Sequence, residues 1–254
     1  MVLEALESIK RQRFHGVEII LVDDGSVDNT QSAVRSLFPE VKQMRLNGEG
    51  PGAARNAGAE AANGDILMFL DSDDIWLENH VEQLITVFER GFQVAYGVTL
   101  TRDEVAGCNF LIPEKGSGPE GDCFSALLRW CFMVPSSMAI RRDVFLEASG
   151  FDDVAYGEDW TFFLRIGATY PFGFAGPEPI TVRRLHHGSL CFLSDRKNLL
   201  AIINQVLKVL ENEPRATASH HDHFRMLHAW TSANMGRWST VQDWYQAMQR
   251  EKII

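Results

Sequence analysis

Three carboxylates fall within four positions at Asp71-Ser72-Asp73-Asp74, directly after the apolar run Ile66-Leu67-Met68-Phe69-Leu70. Asp offers hard oxygen donors, and two Asp side chains two positions apart at a strand end can reach one divalent cation, directly or through water. Mg2+ or Mn2+ held by so few protein oxygens usually shares substrate phosphates. The same residues also suit a solvated acidic turn that caps the next helix. A second pair, Asp23-Asp24, follows the β-branched run at 17–22 and precedes Gly25, which permits a tight turn. A third, Glu158-Asp159, opens a stretch whose apolar positions (Trp160, Phe163, Leu164, Ile166) have helical spacing. Carboxylates in a first helical turn are stabilised by the helix dipole. Asp159 is also placed to serve as a base for an attacking hydroxyl. His186 ends another strand-like run, as a structural histidine, a third metal ligand or a phosphate donor. Arg55 is a long cation among alanines, either a surface charge or a contact to an anionic or planar ligand.

The elements that must carry these residues alternate along the chain. Helical spacing covers residues 2–13, strand-like residues run over 17–22 and 41–46, and a helix lies between them from near Thr30 to before Pro39. The loop Asn47-Gly48-Glu49-Gly50-Pro51-Gly52 leads into a small-residue helix over 53–62 that can lie very close to a sheet. Such a loop can hold phosphate on free N–H groups. No Lys-Ser/Thr follows its glycines, so it is not a P-loop. Apolar runs without alternation, as at 66–70, predict strands covered on both faces and therefore a mostly parallel sheet. A helix is expected over 76–90 and a strand over 92–100, then an irregular loop over 101–122 that could serve as a lid or acceptor contact. Helix over 124–133, strand over 136–140, helix over 141–148 and strand over 180–185 complete this part. The remainder reads as helical, with an apolar helix at 197–211 and one or two more over 220–250. Their apolar surface is expected to pack on the main domain rather than on a partner or a membrane. No internal repeat is visible.

Length and composition narrow the class. The chain has 254 residues, 45% hydrophobic and 23% charged, which suits one globular domain with a smaller C-terminal appendage. A net charge of −10 argues against nucleic acid or anionic lipid as the main partner. Cys108, Cys123, Cys131 and Cys191 have no metal-ligand spacing and read as reduced thiols. No apolar run approaches the roughly 18 residues that span a bilayer, and no basic-then-apolar leader opens the chain. A cytoplasmic location is the expectation, extending to the inner face of the membrane.

Four stretches together resemble the family 2 glycosyltransferases of the GT-A fold: Val22-Asp23-Asp24-Gly25-Ser26, Ala54-Arg55-Asn56-Ala57-Gly58, Phe69-Leu70-Asp71-Ser72-Asp73-Asp74 and Gly157-Glu158-Asp159-Trp160. Arg184-Leu185-His186-His187-Gly188-Ser189 is similar to a later Arg-x-His-x-Gly-Ser element of that family. The resemblance covers roughly residues 3–190. It implies an α/β, GT-A-like domain over residues 1–192, with a single mixed, mostly parallel sheet between helices, and a helical extension over 193–254. It further implies that Asp23, Asp24 and Arg55 contact the donor nucleotide. Asp71 and Asp73 would form a DxD motif whose Mn2+ or Mg2+ bridges a diphosphate, with His186 nearby. Asp159 would be the base of an inverting transfer, supported by Glu158, Gly25 and Asn56. The donor would be a nucleotide-diphospho-sugar, a UDP-sugar foremost. The acceptor would be a carbohydrate or glycolipid hydroxyl in cell-surface polysaccharide or glycoconjugate synthesis. Homo-oligomerisation or peripheral membrane association is compatible with the sequence.

One departure from the family pattern bears on these expectations. Members begin with an apolar strand ending in a Pro-x-Tyr-Asn-like turn, whereas this chain starts inside the helix that follows. A start upstream of residue 1 is the expectation, and the alternative is a non-catalytic domain held by an oligomer or partner interface. A nucleotidyltransferase is a weaker reading, since no Gly-rich basic loop follows the first strand.

Overall fold

The computed structural model describes residues 1–190, 197–234 and 241–252. Cys191 and the 192/193 boundary lie outside the described residues. The chain opens with α1 (Val2–Lys10), β1 (Ile20–Asp24), α2 (Thr30–Leu37), β2 (Lys42–Leu46) and α3 (Pro51–Ala61). Next come β3 (Ile66–Met68), β4 (Ile75–Trp76), α4 (His80–Glu89), β5 (Val94–Asp103) and β6 (Cys108–Ile112). Then follow α5 (Phe124–Leu127), β7 (Met138–Arg141), α6 (Arg142–Glu147), α7 (Glu158–Thr169) and β8 (Phe172–Leu185). Three helices close the chain: α8 (Lys197–Asn212), α9 (Ala218–Ala233) and α10 (Val241–Arg250).

The α/β architecture is as expected, but the expectation of one mostly parallel sheet is corrected in detail. The strands form two sheets. β1 and β2 pair in parallel, and a six-stranded sheet runs β3-β7-β5-β8-β4 with β6 on the second half of β5. Within the larger sheet only β5–β8 is parallel, while β3–β7, β4–β8, β5–β6 and β5–β7 are antiparallel. A continuous apolar run reports burial on both faces, as in β5, and says nothing of strand direction. Two further expectations are corrected. The irregular loop over 101–122 contains the end of β5 and β6, a short strand whose apolar residues Phe110, Leu111 and Ile112 are half-buried. The helix over 124–133 shrinks to α5, because Trp130, Phe132 and Met133 belong to the core in an irregular path toward Pro135.

The main core lies between the larger sheet and the helices on one face. Leu67, Tyr96, Met138 and Ile140 of the sheet meet Phe145, Phe151, Phe162 and Phe163 there. Leu199, Ile203, Phe224, Leu227 and Trp244 of the last three helices are part of the same cluster. The C-terminal helices thus pack on the main domain. Among the described residues no helix is long and apolar enough to cross a membrane.

Candidate active site

The acidic residues lie at the ends of strands and at a helix start. β1 ends in Asp23-Asp24, the chain leaving β3 turns through Asp71–Asp74, α7 begins at Glu158, and β8 ends just before His186. Helix α3 carries Arg55 into this group. Its small residues permit the approach: a Cβ on Gly58 would stand 3.3 Å from Val22 Cγ2 of β1, and one on Gly52 would stand 2.9 Å from the Asp152 carbonyl.

Arg55 joins two of the clusters. Its Nη2 donates to Asp71 Oδ1 at 2.7 Å and its Nη1 donates to Glu158 Oε1 at 2.9 Å, with the guanidinium over the Phe151 ring. Burial opposes the guanidinium charge, but Asp71 and Glu158 outweigh it and raise the Arg55 pKa further. Next to it, Asn56 Nδ2 donates to the Phe151 carbonyl and Asn56 Oδ1 accepts the Phe151 N–H, both at 2.8 Å. That clamp holds the segment leading into α7.

Burial, followed by the charge of Asp159, lifts the Glu158 carboxyl to about 7 despite its bonds from Arg55. Asp159 is half-buried, and burial raises its carboxyl against the pull of Arg55 and a bond from the Trp160 N–H. A carboxyl raised in this way is better suited to take a proton near neutral pH than an exposed one. Asp74, quoted above only as part of its motif, is buried, and burial with the charge of Asp71 pushes it to about 7. It accepts the Arg184 N–H at 3.2 Å. Ser136, buried and 65 positions away, accepts the Asp71 N–H at 3.1 Å. No local pattern marks Ser136 in the sequence; only the fold brings it there.

Asp73 Oδ2 stands 3.3 Å from His186 Nε2 without a hydrogen bond between them, and the Asp73 carbonyl accepts from Arg184 Nε. His186 Nδ1 accepts the Gly188 N–H at 3.1 Å, which puts the proton of the neutral ring on Nε2. In that tautomer the His186 Nε2 is turned toward the Asp73 side.

Asp23 and Asp24 are spent on their own loops. Asp23 Oδ1 accepts the Ser26 N–H at 2.9 Å, and its Oδ2 accepts from Gln31 at 2.7 Å and Arg45 at 3.0 Å. Burial alone would raise the Asp23 carboxyl, and these bonds turn the shift downward. Asp24 accepts the N–H groups of Gly48, Glu49 and Gly50 at 3.0, 2.8 and 2.7 Å, fixing the loop before α3. Gly25 turns the chain between these loops at φ +87°. The structure thus brings Arg55, Asp71 and Glu158 into contact and sets Asp73 beside His186. Asp23 and Asp24 make no bond to that group among the described residues.

The glycosyl transferase family 2 model matches residues 1–147, more than half of the chain. The chain belongs to glycosyl transferase family 2. A family relative of Nostoc sp., an uncharacterised glycosyltransferase, is 32% identical over 60% of this chain and 50% of its own length. A GalNAc(5)-diNAcBac-PP-undecaprenol β-1,3-glucosyltransferase of Campylobacter jejuni is 27% identical over 84% of this chain and 70% of its own. The chain thus spans half the length of the Nostoc relative. The crystal structure of S. aureus TarS 1–349 with UDP-GlcNAc superposes with a TM-score of 0.70 at 17% identity, covering 93% of this chain and 70% of that one. That likeness establishes the GT-A-type fold.

A divalent cation is implied by the family, and the carboxylates can be tested for it. Among the described residues no three His, Cys, Asp or Glu side chains converge as a ligand set. Asp71 Oδ2 and Asp73 Oδ1 accept no hydrogen bond from the described residues. Hard, uncommitted carboxylate oxygens on one turn, completed by diphosphate and water, are the way Mg2+ and Mn2+ are usually held. Asp71 and Asp73 would supply two such oxygens, and diphosphate and water the rest. An open groove of about 610 Å3 lies further along α7, lined by Asp152, Thr161, Arg165, Gln205, Lys208 and Asn212. It contains none of the residues predicted from sequence.

Proposed function

We propose that this chain transfers a sugar from a nucleotide-diphospho-sugar to an acceptor hydroxyl by a single displacement with inversion. The observation that carries the reading is the joining of Asp71, on the turn after β3, to Glu158, beside Asp159 on α7, through Arg55 at 2.7 and 2.9 Å. A diphosphate-side carboxylate and a base-side carboxylate would then stand on either side of Arg55. Asp71 and Asp73 would hold the cation, which would neutralise charge on the leaving diphosphate. His186, with its proton on Nε2, would give a hydrogen bond to a phosphate oxygen. Asp23, Asp24 and Arg55 would contact the donor nucleotide, with Asp24 also fixing the loop that leads into α3. Asp159 would take the proton of the acceptor hydroxyl as its oxygen attacks the anomeric carbon and the carbon–oxygen bond to the diphosphate breaks. No covalent intermediate on the protein is required.

The solved TarS structures with UDP and UDP-GlcNAc favour a UDP-sugar donor. The name of the Campylobacter relative favours a lipid-linked glycan acceptor, used at the inner face of the membrane in building a surface glycan. Incubation with Mn2+, a panel of UDP-sugars and short glycan or lipid-linked acceptors tests this. The anomeric configuration of the product is read by NMR. Inverted product that disappears in Asp159→Asn is the expected result. Retained configuration, or unchanged transfer by that variant, would remove the single displacement with Asp159 as base.

A further inference from the structure

We propose that Arg55 is a positioning residue that couples the donor side of the site to the base side, by sharing its guanidinium between Asp71 and Glu158. The inference rests on the reading above, in which Asp71 faces the donor diphosphate and its cation.

The geometry makes the two carboxylates unequal partners. Each takes one nitrogen of a single planar fork, but the Asp71 side chain is 38% exposed and that of Glu158 only 11%. Asp71 can exchange Arg55 for water or a cation at small cost. Glu158, enclosed by the fold, has no comparable access to water in place of Arg55. The fork is also confined. The Arg55 side chain is 13% exposed, it lies over Phe151 at 5.4 Å, and its Nε–H has no hydrogen-bond partner among the described residues. Helix α3 is held against β1 and the Asp152 carbonyl at Gly58 and Gly52, and the Asn56 clamp ties it to Phe151. Arg55 therefore cannot follow either carboxylate by moving its helix. A cation arriving at Asp71 competes with Nη2 and leaves more of the guanidinium charge to Glu158. Asp159, the next residue on α7, lies within the field of the same charge. Loading of the donor side is thereby felt at the base side, and the linkage is reciprocal.

Reciprocity supplies the test. Glu158→Gln leaves Asp71 as the sole carboxylate for Arg55, so a cation must displace a more firmly held guanidinium. The Mn2+ midpoint, read from the melting temperature at fixed UDP, is expected to rise roughly fivefold in that variant, within the range of coupling between residues in contact. In an Arg55→Met background the same substitution should change the midpoint by less than about twofold. If Arg55→Met does not fold, Arg55→Lys replaces it. Its single ammonium reaches one carboxylate at a time, and the effect of Glu158→Gln should shrink at least by about half. Donor KM and kcat provide the second readout. Arg55→Lys should lower kcat more than it raises KM, a split that general loss of packing would not produce. An equal effect of Glu158→Gln in both backgrounds overturns the coupling while leaving the donor site standing. Absence of any Mn2+ response in the unmodified chain overturns the donor-site reading and the coupling with it.

Discussion

In the proposed reaction Asp159 would carry the heaviest chemical demand, and its surroundings suit it: half-buried, at the start of α7, with its carboxyl raised by burial and restrained by Arg55. Asp159→Asn preserves size and the bond to the Trp160 N–H but removes the base. The expected outcome is a loss of kcat of roughly 10²–10⁴-fold, with the stabilisation by UDP and Mn2+ retained. Steady-state assays paired with melting curves check both halves. Glu158 yields a prediction about stability. Its carboxyl lies at about 7 in the fold against an ordinary 4.5, so the native state binds that proton more tightly than the unfolded chain does. Its contribution to stability is therefore fully present at low pH and falls as pH rises from 4.5 through about 7. Denaturant unfolding at roughly pH 5 and pH 8 should show that fall, and Glu158→Gln should flatten it. Asp71, Asp73, Glu158 and Asp159 were legible as candidates because carboxylates at strand and helix ends stand out in a sequence. The bridging by Arg55 and the bond to Ser136 were not, since both depend on partners 65 or more positions away or on which way one side chain points.

At the scale of elements, the central strand β5 is the frame on which the site hangs, with β7 and β6 along one edge and β8 along the other. Gly97 lies where β5 and β8 slip register between Tyr96 and Val98. A Cβ there would stand 2.3 Å from Ile180 Cδ1 and 2.7 Å from Ile180 Cγ1. Gly97→Ala should overpack this contact and cost about 1–3 kcal/mol, read by denaturant unfolding. Most elements were legible because their apolar periodicity was long enough, as in α4, α7 and α8. β4, with two residues, and β6, with five set in a stretch rich in charge, Gly and Pro, were too short to register. Strand direction was illegible for a different reason. Burial on both faces constrains residue type, whereas the direction of β7 and β8 relative to β5 follows from how the chain returns.

At the scale of the whole molecule, the last three helices join the sheet in one core. Trp244 of α10 is buried in it, its Nε1 donating to Thr231 Oγ1 of α9 at 3.0 Å. Trp160 of α7, next to Asp159, lies in the same cluster and donates from Nε1 to the Leu127 carbonyl at 2.7 Å. Trp244→Ala should therefore cost about 3–5 kcal/mol and lower the stability of the whole chain. A single unfolding transition displaced to lower denaturant is expected, and two separate transitions would show that the C-terminal helices unfold on their own. In the proposed function the acidic turn after β3 is part of a nucleotide-sugar site. The most direct measurement is the melting temperature of the chain titrated with UDP at fixed Mn2+. A saturable rise that needs both the nucleotide and the cation, and is lost in Asp73→Asn, is the predicted result. A melting temperature indifferent to UDP and Mn2+ together would contradict it.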